Sequence, residues 1–146
     1  MNHGNKVFDI YGDGLQKVTL TSLGDAARAV LALLKNSIKT GADLPPVTHL
    51  AGQTLTYKAL FEVICRHHPV WKSYTVSISE VLDSIHEGLN SNDTSVAIHQ
   101  MRILGFTNAN HNPDEKVLRW GTGVLEGLYP ISVDELLAQA EAGSNK

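Results

Sequence analysis

The segment that most constrains this chain covers residues 12–34, where a turn, a short strand and a helix follow one another. Asp13 and Gly14 predict the turn, because glycine tolerates a positive φ and aspartate hydrogen-bonds its own backbone. Residues 17–21 then alternate polar with apolar side chains, which is the period of a half-buried strand.

A helix is predicted directly after this strand. Ser22, followed three residues later by Asp25, resembles a capping box with Asp in place of the usual Glu or Gln. Residues 26–34 then give the helix a wide apolar face, and the pattern predicts that it continues to about Asn36. Such a face is typical of a helix that packs against a sheet.

The rest of the chain alternates short strands with capped helices. We expect strands around residues 7–10, 47–51 and 74–78, and helix starts at Thr56, Ser77, Asp93, Asn112 and Ser132. Gly105 stands where a glycine that ends the helix 94–104 is expected. The last helix is expected over 133–142, with a frayed tail at 143–146.

These elements predict an α/β or α+β fold, in which a short sheet is covered by about five or six helices. A length of 146 residues with 42% hydrophobic content fits one domain, residues 1–146, and is enough to bury a core.

Charge and cysteine content narrow the class of protein. The formal net charge is -3 and no Lys/Arg block is present, so we expect no nucleic-acid partner. The single cysteine, Cys65, fits a reducing compartment and is expected to be a buried, inert thiol. The longest apolar run, 26–34, contains Arg28 and is too short to span a bilayer. We therefore expect a cytoplasmic protein without a membrane partner.

A family resemblance is carried by the stretch GDGLQKVTLTSLGDAARAVLALL and, after a strand, by residues 52–56 (Gly-Gln-Thr-Leu-Thr). These residues resemble the C-terminal half of the NmrA-like and isoflavone-reductase-like proteins, which are atypical short-chain dehydrogenases/reductases. The resemblance covers residues 9–137. It implies the substrate-binding half of a Rossmann protein, acting with NAD(P) on a small secondary metabolite held between two halves.

The resemblance also implies what this chain lacks. No residue matches the family's Gly-rich dinucleotide loop or its catalytic Tyr/Lys region, so we expect no cofactor to bind to this chain alone. Gly12 and Gly14 form a G-x-G, but no third glycine follows and a strand comes next instead of a helix. His86 and Glu87 begin like a zinc-protease motif, yet Asn90 stands where the second histidine is needed, and no metal site is expected.

Candidate site residues are few. His67, His68 and His99 are candidates for acid/base catalysis, because histidine titrates near neutral pH. Histidines at helix ends, such as His67 and His68, more often only interact with the helix dipole, and this structural interpretation is the favoured one. An apolar pocket with polar anchors is predicted near Trp71, Tyr74, Met101, Arg102 and Trp120, although core packing accounts for each of these residues as well.

Three functions remain open at this point. The chain is part of a reductase that works with an N-terminal half, or a non-catalytic regulatory or binding module, or a cofactor-free isomerase, cyclase or dehydratase with a histidine acid/base. A small-molecule metabolite is the expected ligand. An exposed apolar face on the helix 26–34 would favour a homodimer or a partner half.

Overall fold

The computed structural model describes residues 4–91, 93–113, 115 and 117–144. This part of the chain has a mixed α/β architecture, with five α-helices and four short strands in two two-stranded sheets. The elements are β1 (Val7–Tyr11), β2 (Lys17–Leu20), α1 (Leu23–Thr40), β3 (Gln53–Thr56), α2 (Tyr57–His67), β4 (Lys72–Val76), α3 (Ile78–Asn90), α4 (Val96–Arg102) and α5 (Val133–Ser144).

The chain divides into two compact units. Unit 1 contains the residues up to Val18 together with Leu55–His111, and unit 2 contains Thr19–Thr54 together with the residues from Asn112 onward. The strand order is β1-β4 in one sheet and β2-β3 in the other.

In unit 1, β1 and β4 are parallel, with Val7 opposite Lys72 and Tyr11 opposite Val76. Side chains of β1 alternate between half-buried and buried positions, whereas four of the five residues of β4 are exposed. The side chains of β1 are therefore buried or half-buried, whereas most of β4 is exposed to solvent.

The core of unit 1 forms where α2 packs on β1. Phe8, Ile10 and Trp71 are buried there, and the Phe8 and Phe61 rings lie 5.6 Å apart between centroids. Leu60 also packs against this cluster. The apolar side chains of α2 and the alternation of β1 bring these residues to one interior.

Capping explains where the two long helices of unit 1 begin. The Ser77 Oγ accepts from the Glu80 N–H (3.2 Å) and Glu80 Oε2 accepts from the Ser77 N–H (2.7 Å), which confirms the predicted capping box of α3. Thr56 Oγ1 accepts from the Ala59 N–H (3.1 Å), which confirms it as the cap of α2. Since α3 starts at Ile78, the expectation that this residue ends a strand is wrong.

In unit 2, α1 begins with half of a capping box. Ser22 Oγ accepts from the Asp25 N–H at 2.9 Å, as predicted. The Asp25 carboxylate turns to other donors, the Ile131 N–H at 3.0 Å and the Arg28 guanidinium. The helix ends at Thr40, four residues beyond the predicted end, and Gly41 caps it with φ 72°.

The prediction of a strand at 47–51 is wrong. Only His49 pairs in that stretch, in an isolated parallel bridge with Val117, and the ladder strand is β3 at Gln53–Thr56. In unit 2 the hydroxyls of Thr19 and Thr54 lie 3.2 Å apart. The strand therefore lies at the Thr-containing residues of β3 and not at the more apolar residues 47–51, where it was predicted.

The helix expected over 94–104 is shorter. Asp93 Oδ1 accepts from the Ser95 N–H (2.8 Å), α4 starts at Val96, and a 3₁₀ turn follows over Ile103–Phe106. Gly105 lies inside that turn, so it does not end a helix as predicted.

Two predictions, the helix start at 112–115 and the frayed tail at 143–146, include residues that the structure does not describe. The helix start at 112–115 includes residue 114, which is not described, and Val117 to Arg119 are not helical. The capping box of α5 is confirmed. Ser132 Oγ accepts from the Glu135 N–H at 3.2 Å, and Glu135 Oε2 accepts from the Ser132 N–H at 2.8 Å. α5 runs to Ser144, and the rest of the predicted frayed tail, 145–146, lies outside the described residues.

Candidate functional site

A cavity of about 350 Å³ lies within unit 1. It is lined by Tyr11, Tyr57, Ile98, Met101, Arg102, Leu104, Gly105 and Asn110. These residues come from the end of β1, the first residue of α2, α4, the 3₁₀ turn and the loop after it. We call this the unit 1 cavity. Its volume falls in the range of sites for small organic molecules, roughly 300–1,000 Å³.

Two hydrogen bonds organise the polar residues of the unit 1 cavity. Arg102 Nε donates to the Tyr11 hydroxyl at 3.3 Å, and Asn110 Nδ2 donates to the Tyr57 hydroxyl at 3.2 Å. In both pairs the tyrosine oxygen accepts, so each phenolic hydrogen can still be donated to another acceptor.

Close packing holds the Tyr11 ring in place. The ring meets Phe106 edge to face, with centroids 5.3 Å apart, and the Arg102 guanidinium carbon lies 5.9 Å from the Tyr11 centroid. On another side, a Cβ added to Gly105 would lie only 2.5 Å from Tyr11 Cδ2. Glycine is therefore needed at 105 for the backbone to approach this ring.

A second group of polar residues lies near Arg102. The Tyr74 hydroxyl hydrogen-bonds to Glu80 Oε1. This bond and the Ser77 backbone N–H and hydroxyl lower the pKa of Glu80 to about 2, with a smaller contribution from the charge of Arg102. Conversely, the bond to Glu80 raises the pKa of Tyr74. Glu80 is therefore an ionised capping residue at neutral pH.

The residues predicted to form a pocket do not all lie together. Met101 and Arg102 line the unit 1 cavity. Trp71 is 9% exposed in the core of unit 1, and Tyr74 is exposed on β4. Trp120 belongs to unit 2.

In unit 2, Trp120 lines a cavity of its own, also about 350 Å³, with Ala51 and residues 117–119. The Trp120 indole N–H donates to the Ala51 carbonyl at 2.8 Å. This bond satisfies the only polar atom of the indole, so the ring has a structural role at this position.

The three candidate histidines lie outside the linings of these two cavities. His67 is the last residue of α2 and His68 its C-cap, both half-buried. His99 lies on α4, and its Nδ1 is buried without a hydrogen-bond partner in the described part of the chain.

The G-x-G of residues 12–14 serves a turn. Gly12 and Gly14 both have positive φ, the Gly14 N–H donates to the Tyr11 carbonyl at 3.1 Å, and β2 follows. A Cβ on Gly14 would meet Ile10 Cγ2 at 2.5 Å, so this glycine faces the chain's own side chains. These residues do not fit a dinucleotide phosphate, which needs a helix N-terminus after the loop.

The described residues offer neither a metal site nor a membrane-spanning helix. Among residues 4–91, 93–113, 115 and 117–144, no group of three or more His, Cys, Asp and Glu side chains could hold a metal ion. The described helices include none with the length and apolarity needed to cross a membrane.

Sequence reasoning missed three polar residues of the unit 1 cavity, Tyr11, Tyr57 and Asn110, as well as Ile98, Leu104 and Gly105. Tyr57 is 53 positions from its partner Asn110. A local pattern carries no signal for such a pairing.

No protein-family model, no curated protein and no solved structure matches this chain.

Proposed function

We propose that this chain is the substrate-binding part of an NmrA-like reductase, which reduces a small secondary metabolite with NAD(P)H, and that the unit 1 cavity holds the metabolite. The part of this chain is to bind and orient the substrate. The nucleotide belongs to a dinucleotide-binding half, on the same polypeptide or on a partner. A cytosolic location is part of the proposal, because the single cysteine fits a reducing compartment.

The unit 1 cavity is the observation that carries this proposal. Its wall of Ile98, Met101 and Leu104 is apolar, and these side chains are 65%, 67% and 43% exposed. Polar side chains from β1, α2 and the loop at Asn110 converge on the same space. An apolar wall with a few convergent polar groups is the usual composition of a small-molecule site.

The parallel pair β1-β4 supports the idea of a missing half. Parallel strands occur almost only in larger sheets covered on both faces, and two strands alone are marginally stable. Here β4 has four exposed residues. Further strands from a dinucleotide-binding half would complete such a sheet.

The apolar face of α1 supports a partner half or a homodimer. Five large apolar side chains of this helix are exposed, namely Leu23, Val30, Leu31, Leu34 and Ile38. Two of them, Leu23 and Ile38, are 87% and 85% exposed. An apolar stripe of this kind is typical of a helix that is covered in its assembled state.

The nucleotide part of the proposal is tested by titrating NADPH against the 146-residue chain. We expect no saturable binding at micromolar concentration, because the glycines of residues 12–14 do not fit a dinucleotide. Saturable binding near 1 μM, corresponding to roughly 8 kcal/mol, would contradict it.

The cavity part is tested with cinnamyl alcohol as a neutral aromatic probe. Met101→Trp fills the unit 1 cavity with a larger side chain at a position that is already exposed, so we expect it to abolish binding of the probe. Leu89→Trp, at a position on α3 that is 59% exposed and outside the cavity lining, is the matched control and should bind like the unmodified chain. Equal binding by both variants would show that the probe does not use this cavity.

A further inference from the structure

The polar residues of the unit 1 cavity are rich in donors. Because the hydroxyls of Tyr11 and Tyr57 each accept one hydrogen bond from a nitrogen, both retain a hydrogen to donate. Arg102 uses Nε on Tyr11, and a guanidinium has four further N–H hydrogens on its terminal nitrogens. Such a set of donors calls for an acceptor ligand.

The charge of Arg102 is not neutralised by an ion pair with any described residue. Glu80 is close enough for Arg102 to lower its pKa, but its oxygens accept from the Tyr74 hydroxyl and the Ser77 N–H. The Arg102 side chain is half-buried and lines the cavity. A partly desolvated guanidinium that makes no salt bridge within the described part of the chain favours an anion from solution.

The remaining wall of the cavity fits a hydrocarbon group. Ile98, Met101 and Leu104 provide apolar surface, and the volume of about 350 Å³ admits one small molecule. A ligand that matches both sides of the cavity has one anionic end and one apolar end.

We infer that the unit 1 cavity binds an organic carboxylate, with the carboxylate at Arg102, Tyr11 and Tyr57 and the hydrocarbon part against Ile98, Met101 and Leu104. A planar carboxylate matches the fork of N–H groups on a guanidinium. This inference rests on the proposed function in one respect, namely that the unit 1 cavity is the ligand site.

The test compares two ligands that differ only at the end that binds Arg102. Trans-cinnamate carries a carboxylate where cinnamyl alcohol carries a neutral hydroxymethyl group. Calorimetric titration at neutral pH should show that cinnamate binds about tenfold or more tightly than the alcohol, because hydrogen bonds to charged groups are the stronger ones.

Arg102→Gln should remove this preference, weakening cinnamate about tenfold while leaving the affinity for cinnamyl alcohol within about twofold. Arg119→Gln is the control for net charge, since this exposed arginine lies in unit 2 and lines the other cavity. It should leave both affinities unchanged. Raising the salt concentration should weaken cinnamate more than the alcohol.

Tyr57→Phe provides a second variant in case Arg102→Gln does not fold. It removes one hydroxyl donor and should weaken cinnamate about threefold to tenfold.

The outcomes separate the inference from the proposed function. Equal affinities for the two ligands, unaffected by Arg102→Gln but abolished by Met101→Trp, would overturn the carboxylate inference and leave the cavity as the ligand site. Binding of neither ligand, or binding that Met101→Trp does not change, would overturn both.

Discussion

Asp25 shows how one side chain connects distant parts of unit 2. It is 1% exposed, its N–H donates to the hydroxyl of Ser22, the cap residue of α1, and its carboxylate accepts from the Ile131 N–H, 106 residues later. Burial acts to raise its pKa, but the hydrogen bonds from Arg28, Ser22 and Ile131 outweigh burial and lower it. The ionised form of the Asp25 carboxyl group is therefore favoured in the folded chain.

Asp25→Asn should lower the free energy of unfolding by about 1–3 kcal/mol, because it weakens the bonds to Arg28 and Ile131 inside the protein. Since the folded pKa lies below the ordinary value, this stabilisation is complete above about pH 3.9 and is lost as pH falls through the folded pKa. Urea titrations at neutral and acidic pH measure the difference between the two proteins.

Asp43→Asn is the control for this variant, because Asp43 is exposed in the loop after α1. It should change the stability by less than about 0.5 kcal/mol. A loss equal to that of Asp25→Asn, or a loss for Asp25→Asn that grows on acidification, would contradict the assignment.

Gly105 has a steric role at the unit 1 cavity. Gly105→Ala would place a Cβ 2.5 and 2.6 Å from two atoms of the Tyr11 ring, so the ring or the 3₁₀ turn must move. We expect a loss of about 1–3 kcal/mol in the free energy of unfolding, and weaker binding in the cavity.

Gly143→Ala is the matched substitution, since a Cβ there has no neighbour within 4 Å among the described atoms and the residue lies in α5. It should be neutral or stabilising by up to about 1 kcal/mol. Chemical denaturation measures the free energy of unfolding of both variants. Equal changes would show that the close approach of Gly105 to Tyr11 does not determine the stability.

At the scale of elements, α3 depends on its capping box. Ser77→Ala removes the oxygen that accepts from the Glu80 N–H and should cost about 1 kcal/mol. Ser84→Ala on the same helix is the control, because its hydroxyl only bonds back to the Glu80 carbonyl. Thermal unfolding followed by circular dichroism should show a lower midpoint for Ser77→Ala only.

Caps and amphipathic faces were the predictable part of the fold. Ser77 with Glu80, Ser132 with Glu135, and Thr56 act within three residues, so their partners are visible in the sequence. β3 was not predicted, because its residues Gln-Thr-Leu-Thr lack the apolar alternation of a half-buried strand.

The candidate site was predictable only in its helical part. Met101 and Arg102 line the unit 1 cavity, but Tyr11 lies 91 positions from Arg102 and reaches it through the fold. Gly105 was predicted to end a helix because the residue that follows a helix is commonly glycine, whereas here it makes room for Tyr11. Only tertiary packing distinguishes these two roles.

At the scale of the whole molecule, charge predicts which partners are excluded. A net charge of -3 without a basic block provides no attraction to phosphates. In fluorescence anisotropy with a labelled DNA duplex at physiological salt, we expect no binding in the range of roughly 10⁻⁴ to 10⁻⁶ M typical of non-specific DNA binders. Saturable binding in that range would contradict our proposal that nucleic acid is not a partner.

The two tryptophans of the chain are divided between the units, Trp71 in unit 1 and Trp120 in unit 2. Trp71 is 9% exposed in an apolar core, whereas the Trp120 indole is half-buried and hydrogen-bonded to a carbonyl. The ultraviolet emission of this protein is therefore the sum of two signals, one from each unit. Replacing either indole with phenylalanine leaves a spectrum that reports on a single unit, so the chain carries its own pair of optical labels.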